Sequence, residues 1–265
     1  MPSTGSGRPS VLPRGRHIRP REMEILFATD GSRGAATALE LLAALPLGYR
    51  DRVTAITAAV DTGHVPAARA TADTAAQQLL AAGIAARSVV GHGAPVDAIV
   101  ERLISVPADL LVAGSRGLGV LGGTLLGSVS RALAEHAPAP LLVVREHSDV
   151  PRHVLVASDG SDEAERALEI VERLPLPRDA RSSRWVLQDG PRAADRTLRE
   201  AHARGADLLV LGFNAARRDH PVLLPGLIET LLAHAHCPVL IATPPLAPRV
   251  AQRPVVERVA LCPVG

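Results

Sequence analysis

Short apolar runs alternate along this chain with longer stretches in which apolar positions recur every third or fourth residue, the signature of buried strands separated by amphipathic helices. The run Glu24-Ile-Leu-Phe-Ala-Thr-Asp-Gly-Ser32 predicts a strand ending in a polar turn, and Arg33 to Leu45 predicts a helix halted by Pro46. The pattern then predicts a strand over Val53 to Val60, a helix over Ala67 to Ala82, a strand over Ala85 to Val90 and a helix over Val96 to Val106. A strand from Leu110 to Ala113, a helix from Gly127 through Ala134 and a strand from Leu141 to Val144 complete this half. Strands that are apolar throughout suit a parallel sheet covered by helices on both faces, joined by right-handed crossovers.

The same series then repeats. His153-Val-Leu-Val-Ala-Ser-Asp-Gly-Ser161 copies the first strand and its turn, and Asp162 to Leu174 copies the helix, again halted by a proline, Pro175. Asp109-Leu-Leu-Val-Ala-Gly114 returns as Asp207-Leu-Leu-Val-Leu-Gly212, and Pro140-Leu-Leu-Val-Val144 as Pro238-Val-Leu-Ile-Ala242, both at an offset of 98 residues. Asp109 follows Asp30 by 79 positions but Asp207 follows Asp159 by only 48, so the second copy is 31 residues shorter. It retains one strand-like run, Arg184 to Gln188, and one helix near Ala193 to Arg204; a strand and a helix are missing. Either the edge strand or its neighbour is the one lost. If the edge strand is gone, Arg184 to Gln188 lies beside His153 to Ser158 and the short sheet stays continuous. The expected fold is therefore α/β: two tandem Rossmann-like domains, 23–147 with a parallel five-stranded sheet and 152–243 shortened. They are flanked by a disordered tail, 1–22, and a Pro-rich segment, 244–265, read as a tail or an edge-covering arm.

Composition narrows the chemistry. Of 265 residues 47% are hydrophobic and 2% aromatic, so the cores must be built from Ala, Val, Leu and Ile. All 29 basic residues are Arg, which excludes a phosphate-loop NTPase with its invariant lysine. Scattered charge and the lack of aromatic stacking platforms argue against nucleic acid. Cys237 and Cys262 form neither a disulfide framework nor a metal spacing, and Cys237 reads as a small core residue. Without an apolar run near the ~18 to 20 residues of a membrane helix, or an apolar leader, the expectation is a soluble cytoplasmic protein.

One constellation carries chemistry. After the strand ending at Ala113 comes Gly114-Ser-Arg-Gly117, nine further residues, then Gly127-Ser128-Val129-Ser130 opening a helix. Glycines at Gly114 and Gly117 let backbone approach an anion, and the helix N-terminus adds unpaired N–H groups and a positive dipole end. The hydroxyls of Ser128 and Ser130 are further donors. Asp30 ends the first strand, at the sheet edge where open α/β sheets bind ligands. It is a ligand carboxylate or, with Ser32, a helix-capping residue, the role its twin Asp159 favours. His234-Ala-His236 offers histidines on different helix faces without a completing ligand, so no metal site is expected. His92, in the loop after a strand, reads as solvated.

The spacing G-x-x-G-x9-G-S, with the upstream Thr-Asp-Gly-Ser, resembles the ATP-binding class of universal stress proteins, over 23–145 fully and 152–243 with a deletion. The resemblance implies an adenine nucleotide α-hydrolase-like fold that binds ATP with Mg2+ for sensing or storage in a stress response, without enzymatic turnover. Carried over by position, Thr29 and Asp30, with Ala28, contact adenine or ribose, and Ala58 lines the adenine pocket. Ala113, Gly114, Arg116 and Gly117 follow ribose and phosphates, and Gly127, Ser128, Val129 and Ser130 close on the phosphates. Ser115 and Ser128 resemble positions phosphorylated in some members. The resemblance also implies an intramolecular pseudo-dimer through the final strands Leu141 to Val144 and Val239 to Ala242, with further homodimerisation and a regulatory protein partner left open. In the second copy Gly117 becomes Ala215, Gly127 becomes Pro225 and Ser128 becomes Gly226, and the strand carrying the adenine wall is a candidate for the deleted one. One ATP per chain follows, in the first domain. The alternatives are a non-nucleotide interaction module and a slow ATPase.

Overall fold

The computed structural model describes residues 22–115, 127–145, 148–158, 162–187, 190, 192–212 and 225–242. The first half runs β1 (Glu24–Ala28), α1 (Arg33–Ala44), β2 (Arg52–Ala59), α2 (Val65–Ala81), β3 (Ala85–His92), α3 (Pro95–Ser105), β4 (Leu110–Gly114), α4 (Ser128–His136) and β5 (Leu141–Val144). The second runs β6 (His153–Ser158), α5 (Asp162–Arg173), β7 (Arg181–Val186), α6 (Ala193–Ala203), β8 (Leu208–Gly212), α7 (Pro225–His234) and β9 (Val239–Ile241).

Prolines set several of these boundaries. Leu45, Val106 and Ala137 each precede a proline and each adopt extended backbone, which a following pyrrolidine ring favours over helix, so α1, α3 and α4 end there. At the other end of α1, Ser32 accepts a hydrogen bond from the Ala35 N–H through its side-chain oxygen at 3.3 Å.

The strands form one nine-stranded sheet in the order β3-β2-β1-β4-β5-β9-β8-β6-β7. Every neighbouring pair is parallel except β5 and β9, which run antiparallel with Leu142 opposite Leu240. The two expected sheets are thus one, joined at the final strands. One face carries α1, α2 and α5 and the other α3, α4, α6 and α7, and both apolar layers cross the joint without interruption. Leu142, Val144, Leu240 and Ala242 lie in the first layer, Leu141, Val143, Val239 and Ile241 in the second. Polar ties reinforce the joint. The Arg145 guanidinium donates to the Leu232 and Ala233 carbonyls at 2.7 and 3.2 Å, in the last turn of α7, where a cation suits the helix dipole. Arg173 of α5 pairs with Asp109 at 2.5 Å, and Arg131 of α4 faces Glu229 of α7 at 3.8 Å.

The retained strand of the second half is Arg181–Val186, which begins three residues before and ends two residues before the expected Arg184 to Gln188, and it pairs with β6. The lost pair is therefore the edge strand and the helix before it, the counterparts of β3 and α2. The neighbour strand expected as a candidate for deletion is present. Register shows how the chain adapted. Beside β1 stand Val53 and Ala55, fully buried under α2; the same positions beside β6 are Ser182 and Arg184, polar residues suited to a face without that helix.

Candidate functional site

α1 leaves the carboxyl end of β1 towards one face of the sheet while α4 follows β4 on the other, so the chain diverges between these neighbouring strands. Such a switch point opens a crevice at the carboxyl edge. Its floor is made of small side chains. Ala28 and Ala113 stand opposite each other in register and are buried on the α4 side. Ala58 is half-buried and paired with Gly91, where a Cβ would come within 2.8 Å of the Ala98 methyl.

The turn after β1 is held by its own side chains. The Thr29 N–H donates to the Ile56 carbonyl at 2.9 Å, Thr29 Oγ1 accepts from the Gly31 N–H at 3.2 Å, and Asp30 Oδ1 accepts from the Ser32 N–H at 2.9 Å. Gly31 has φ +75°, a conformation that favours glycine. Asp30 thus fastens the N–H of Ser32, the N-cap residue of α1, and its side chain stands at the exposed mouth of the crevice.

On the other wall the Gly127 N–H donates to the Ser115 carbonyl at 2.8 Å, and the first intrahelical bond of α4 runs from the Arg131 N–H to the Gly127 carbonyl at 3.0 Å. No side chain caps this helix, so the N–H groups of Ser128, Val129 and Ser130 point beyond its first turn with no acceptor inside the helix. Ser128 is exposed, Val129 half-buried and Ser130 buried.

Three sequence expectations change here. Gly114 faces α1 instead of the crevice: a Cβ would lie 2.4 Å from the Gly34 carbonyl carbon, so its missing side chain admits the helix backbone. Gly127 contributes no free N–H. The Ser130 hydroxyl donates to the Gly114 carbonyl at 2.6 Å, fastening α4 to β4 and leaving only the backbone N–H of Ser130 for an anion. Arg116 and Gly117 lie outside the described residues, as do Asp159 and Ala215 of the second copy.

The second half is built differently at the same place. Its helix α7 begins at Pro225, which has no N–H to offer, and Arg184 donates to the hydroxyl of Ser158, the counterpart of Thr29, at 3.0 Å while pairing with Glu165. A guanidinium thus occupies the α5 side of the turn that ends β6.

Asp61 and His236 have structural partners. Asp61, just beyond β2, caps a short 3-10 turn over Thr62–His64, and its hydrogen bond to the His64 ring holds its carboxyl below the usual range. His236 Nε2 donates to the Ala206 carbonyl at 2.9 Å, with the His202 ring edge-on at 5.3 Å. Cys237 is buried in the α7-side layer, and desolvation pushes its thiol up to about 12. Among the described residues no group of three or more His, Cys, Asp or Glu could hold a metal ion, and no helix is long and apolar enough to cross a membrane.

Comparison with known proteins agrees with this architecture. The model of the Universal stress protein family matches residues 23–145 and 185–243. A universal stress protein of Thermus aquaticus is 47% identical over 54 residues, covering 20% of this chain and 39% of that protein. One from Mycobacterium tuberculosis is 39% identical over 89 residues, covering 32% of this chain and 30% of that protein. The chain thus spans less than two-fifths of the length of either curated relative. The crystal structure of a universal stress protein from Archaeoglobus fulgidus shares the fold, with a TM-score of 0.63 at 19% identity over 83% of this chain and 98% of that one.

Proposed function

This chain belongs to the universal stress protein family, and on that footing we propose that it is a cytoplasmic ATP sensor that binds one nucleotide, in the unit 23–147, and signals through a protein partner. The observation that carries the reading is the contrast between two helix starts at matching positions: α4 opens uncapped with donating N–H groups, α7 opens on Pro225. A phosphate group fits the first, because backbone N–H groups and the dipole end favour an anion without any lysine. The N–H groups of Ser128, Val129 and Ser130 would hold phosphate oxygens, and Ser128, exposed at the helix start, adds a hydroxyl. The small residues Ala28, Ala58 and Ala113 leave room for a base and ribose at the floor, within reach of Thr29 and Asp30. Bound Mg2+ would be held chiefly by phosphate oxygens and water, with Asp30 the carboxylate at the crevice mouth. The unit 152–243 covers the β5 edge and binds no nucleotide.

Native mass spectrometry of the protein incubated with Mg-ATP tests the stoichiometry. One nucleotide per chain is expected, and two would end the asymmetric reading. Thermal unfolding tests binding itself: at a hundredfold excess over Kd the folded state gains about 2.7 kcal/mol, a shift of several degrees. Unchanged melting in millimolar Mg-ATP would refute the nucleotide reading and favour an interaction module. ATP is expected to be recovered intact, and steady turnover would instead make the protein a slow ATPase.

A further inference from the structure

The sheet ends on β7, and the slot that β3 fills in the first half holds no strand among the described residues. In the parallel ladder with β6, the N–H groups of Arg181 and Leu187 donate to the Arg152 and Ser158 carbonyls. Alternate residues of a strand turn their backbone groups to opposite neighbours, so Ser182, Arg184 and Val186 present theirs at the open edge. Arg204 reaches one of these groups, the Arg184 carbonyl, which keeps a second lone pair. Val186 is 61% exposed. On the α6 side of the same edge lies a cavity of about 160 Å³ between Arg181, Ser183, Arg204 and His153. Arg204 pairs with Glu200 at 2.6 Å, while Arg181, exposed, makes no ion pair among the described residues. An open edge of this kind takes a further strand, and a cavity walled by two guanidinium groups takes a carboxylate.

We propose that residues 255–261 of this chain dock along β7 as an antiparallel tenth strand, with the Glu257 carboxylate in the cavity between Arg181 and Arg204. Of the two readings of the segment 244–265, this is the edge-covering arm. Val255-Val-Glu-Arg-Val-Ala-Leu261 contains three β-branched valines and neither glycine nor proline, as strands favour. Its alternation matches the two faces of β7. With Glu257 opposite Ser183, Val255 stands against Trp185 on the face covered by α6. Val256 then stands against Arg184 on the α5 side, and its N–H meets the second lone pair of the Arg184 carbonyl. The route is short. Ile241, Leu211, Ala157 and Trp185 stand in one row across the sheet, so β9 ends level with β7. From β9 to the slot beyond β7 is four strand spacings, about 19 Å. The residues 243–254 between them span up to about 40 Å when extended. Arriving at the carboxyl end of β7, the segment runs antiparallel to it.

Amide hydrogen exchange of the full chain, read residue by residue by NMR for wild type, Val256→Pro and Glu257→Arg, tests it. In wild type the outward N–H groups of Ser182, Arg184 and Val186 are expected to be protected, because the carbonyls of the docked segment accept from them. Val256→Pro removes the N–H that meets the Arg184 carbonyl, and Glu257→Arg sets a third cation between Arg181 and Arg204. Each is expected to speed exchange of the three outward amides by at least roughly tenfold, the factor for about 1.4 kcal/mol of lost docking. The amides of Ser183 and Trp185, which face β6, are expected to stay slow in every variant, which separates release of the segment from loss of the fold. Outward amides that exchange as fast in wild type as in both variants would overturn the docking. Protection that rises with protein concentration would also overturn it, since the strand would then come from a second copy.

Discussion

Cys237 shows how far a side chain's chemistry is set by its surroundings. It lies just before β9 among Leu209, Leu231 and Leu232, and burial raises its thiol from 9.0 to about 12. Below pH 9 the thiol is protonated in both folded and unfolded chains, and its packing contributes fully. Above pH 9 the unfolded chain ionises while the folded one holds its proton, so stability is lost progressively as pH rises from about 9 to about 12. Urea unfolding of wild type and Cys237→Ala between pH 7 and 11 measures this. The advantage of wild type is expected to shrink above pH 9, by at most about 1.4 kcal/mol per pH unit. A constant difference would mean that the thiol titrates alike in both states. The role of Cys237 was legible in the sequence because it stands immediately before the apolar run of the last strand, with no metal or disulfide spacing to a second cysteine; that of Ser130 was not. A serine in a helix's first turn is both a phosphate donor and a tie to the neighbouring strand, and only the 2.6 Å contact with the Gly114 carbonyl decides between them.

Between elements, Gly114 is where α1 meets β4. A Cβ at this position would come within 2.5 Å of the Gly34 carbonyl oxygen and 2.8 Å of the Ala35 nitrogen, distances no side chain tolerates. Gly114→Ala is therefore expected to push α1 off the sheet at a cost of about 3 kcal/mol, the upper part of the overpacking range because the obstacle is backbone. Denaturant unfolding with an unchanged m-value checks it; a variant as stable as wild type but unable to bind Mg-ATP would return Gly114 to the phosphate role. The spacing that revealed the motif could not separate these roles, since a glycine needed for helix packing and one needed for a ligand leave the same letter. Strand order in the second half was hidden for a similar reason. Repeat matching located the deletion, but β7 reads Arg-Ser-Ser-Arg-Trp-Val, too polar for the buried neighbour of β6 until one sees that its α5-side face has no counterpart of α2 over it. The one tryptophan, Trp185, takes the register position of Ile56 and packs towards α6 with Arg204 over its ring at 5.7 Å. Arg204 also donates to the Arg184 carbonyl at 3.1 Å, so a side chain answers part of the open strand edge that β3 covers in the first half.

At the scale of the whole molecule, the antiparallel pairing of β5 and β9 makes one sheet and two shared apolar layers from two repeats. Unfolding either half alone would expose the edge and both layers of the other, so the halves should unfold together, and free energy added to one should stabilise both. Trp185 allows this to be measured, because it reports on the second half while the nucleotide site lies in the first. With saturating Mg-ATP, the urea midpoint followed by Trp185 fluorescence is expected to rise by the same amount as that followed by far-UV circular dichroism, which averages over both halves. If the fluorescence midpoint stays fixed while the dichroism transition broadens or splits, the joint does not couple the halves, and the second would be a passive cover for the β5 edge. A shared shift would make nucleotide occupancy in the first half visible at the surface of the second, the physical requirement for a sensor whose partner docks away from its ligand.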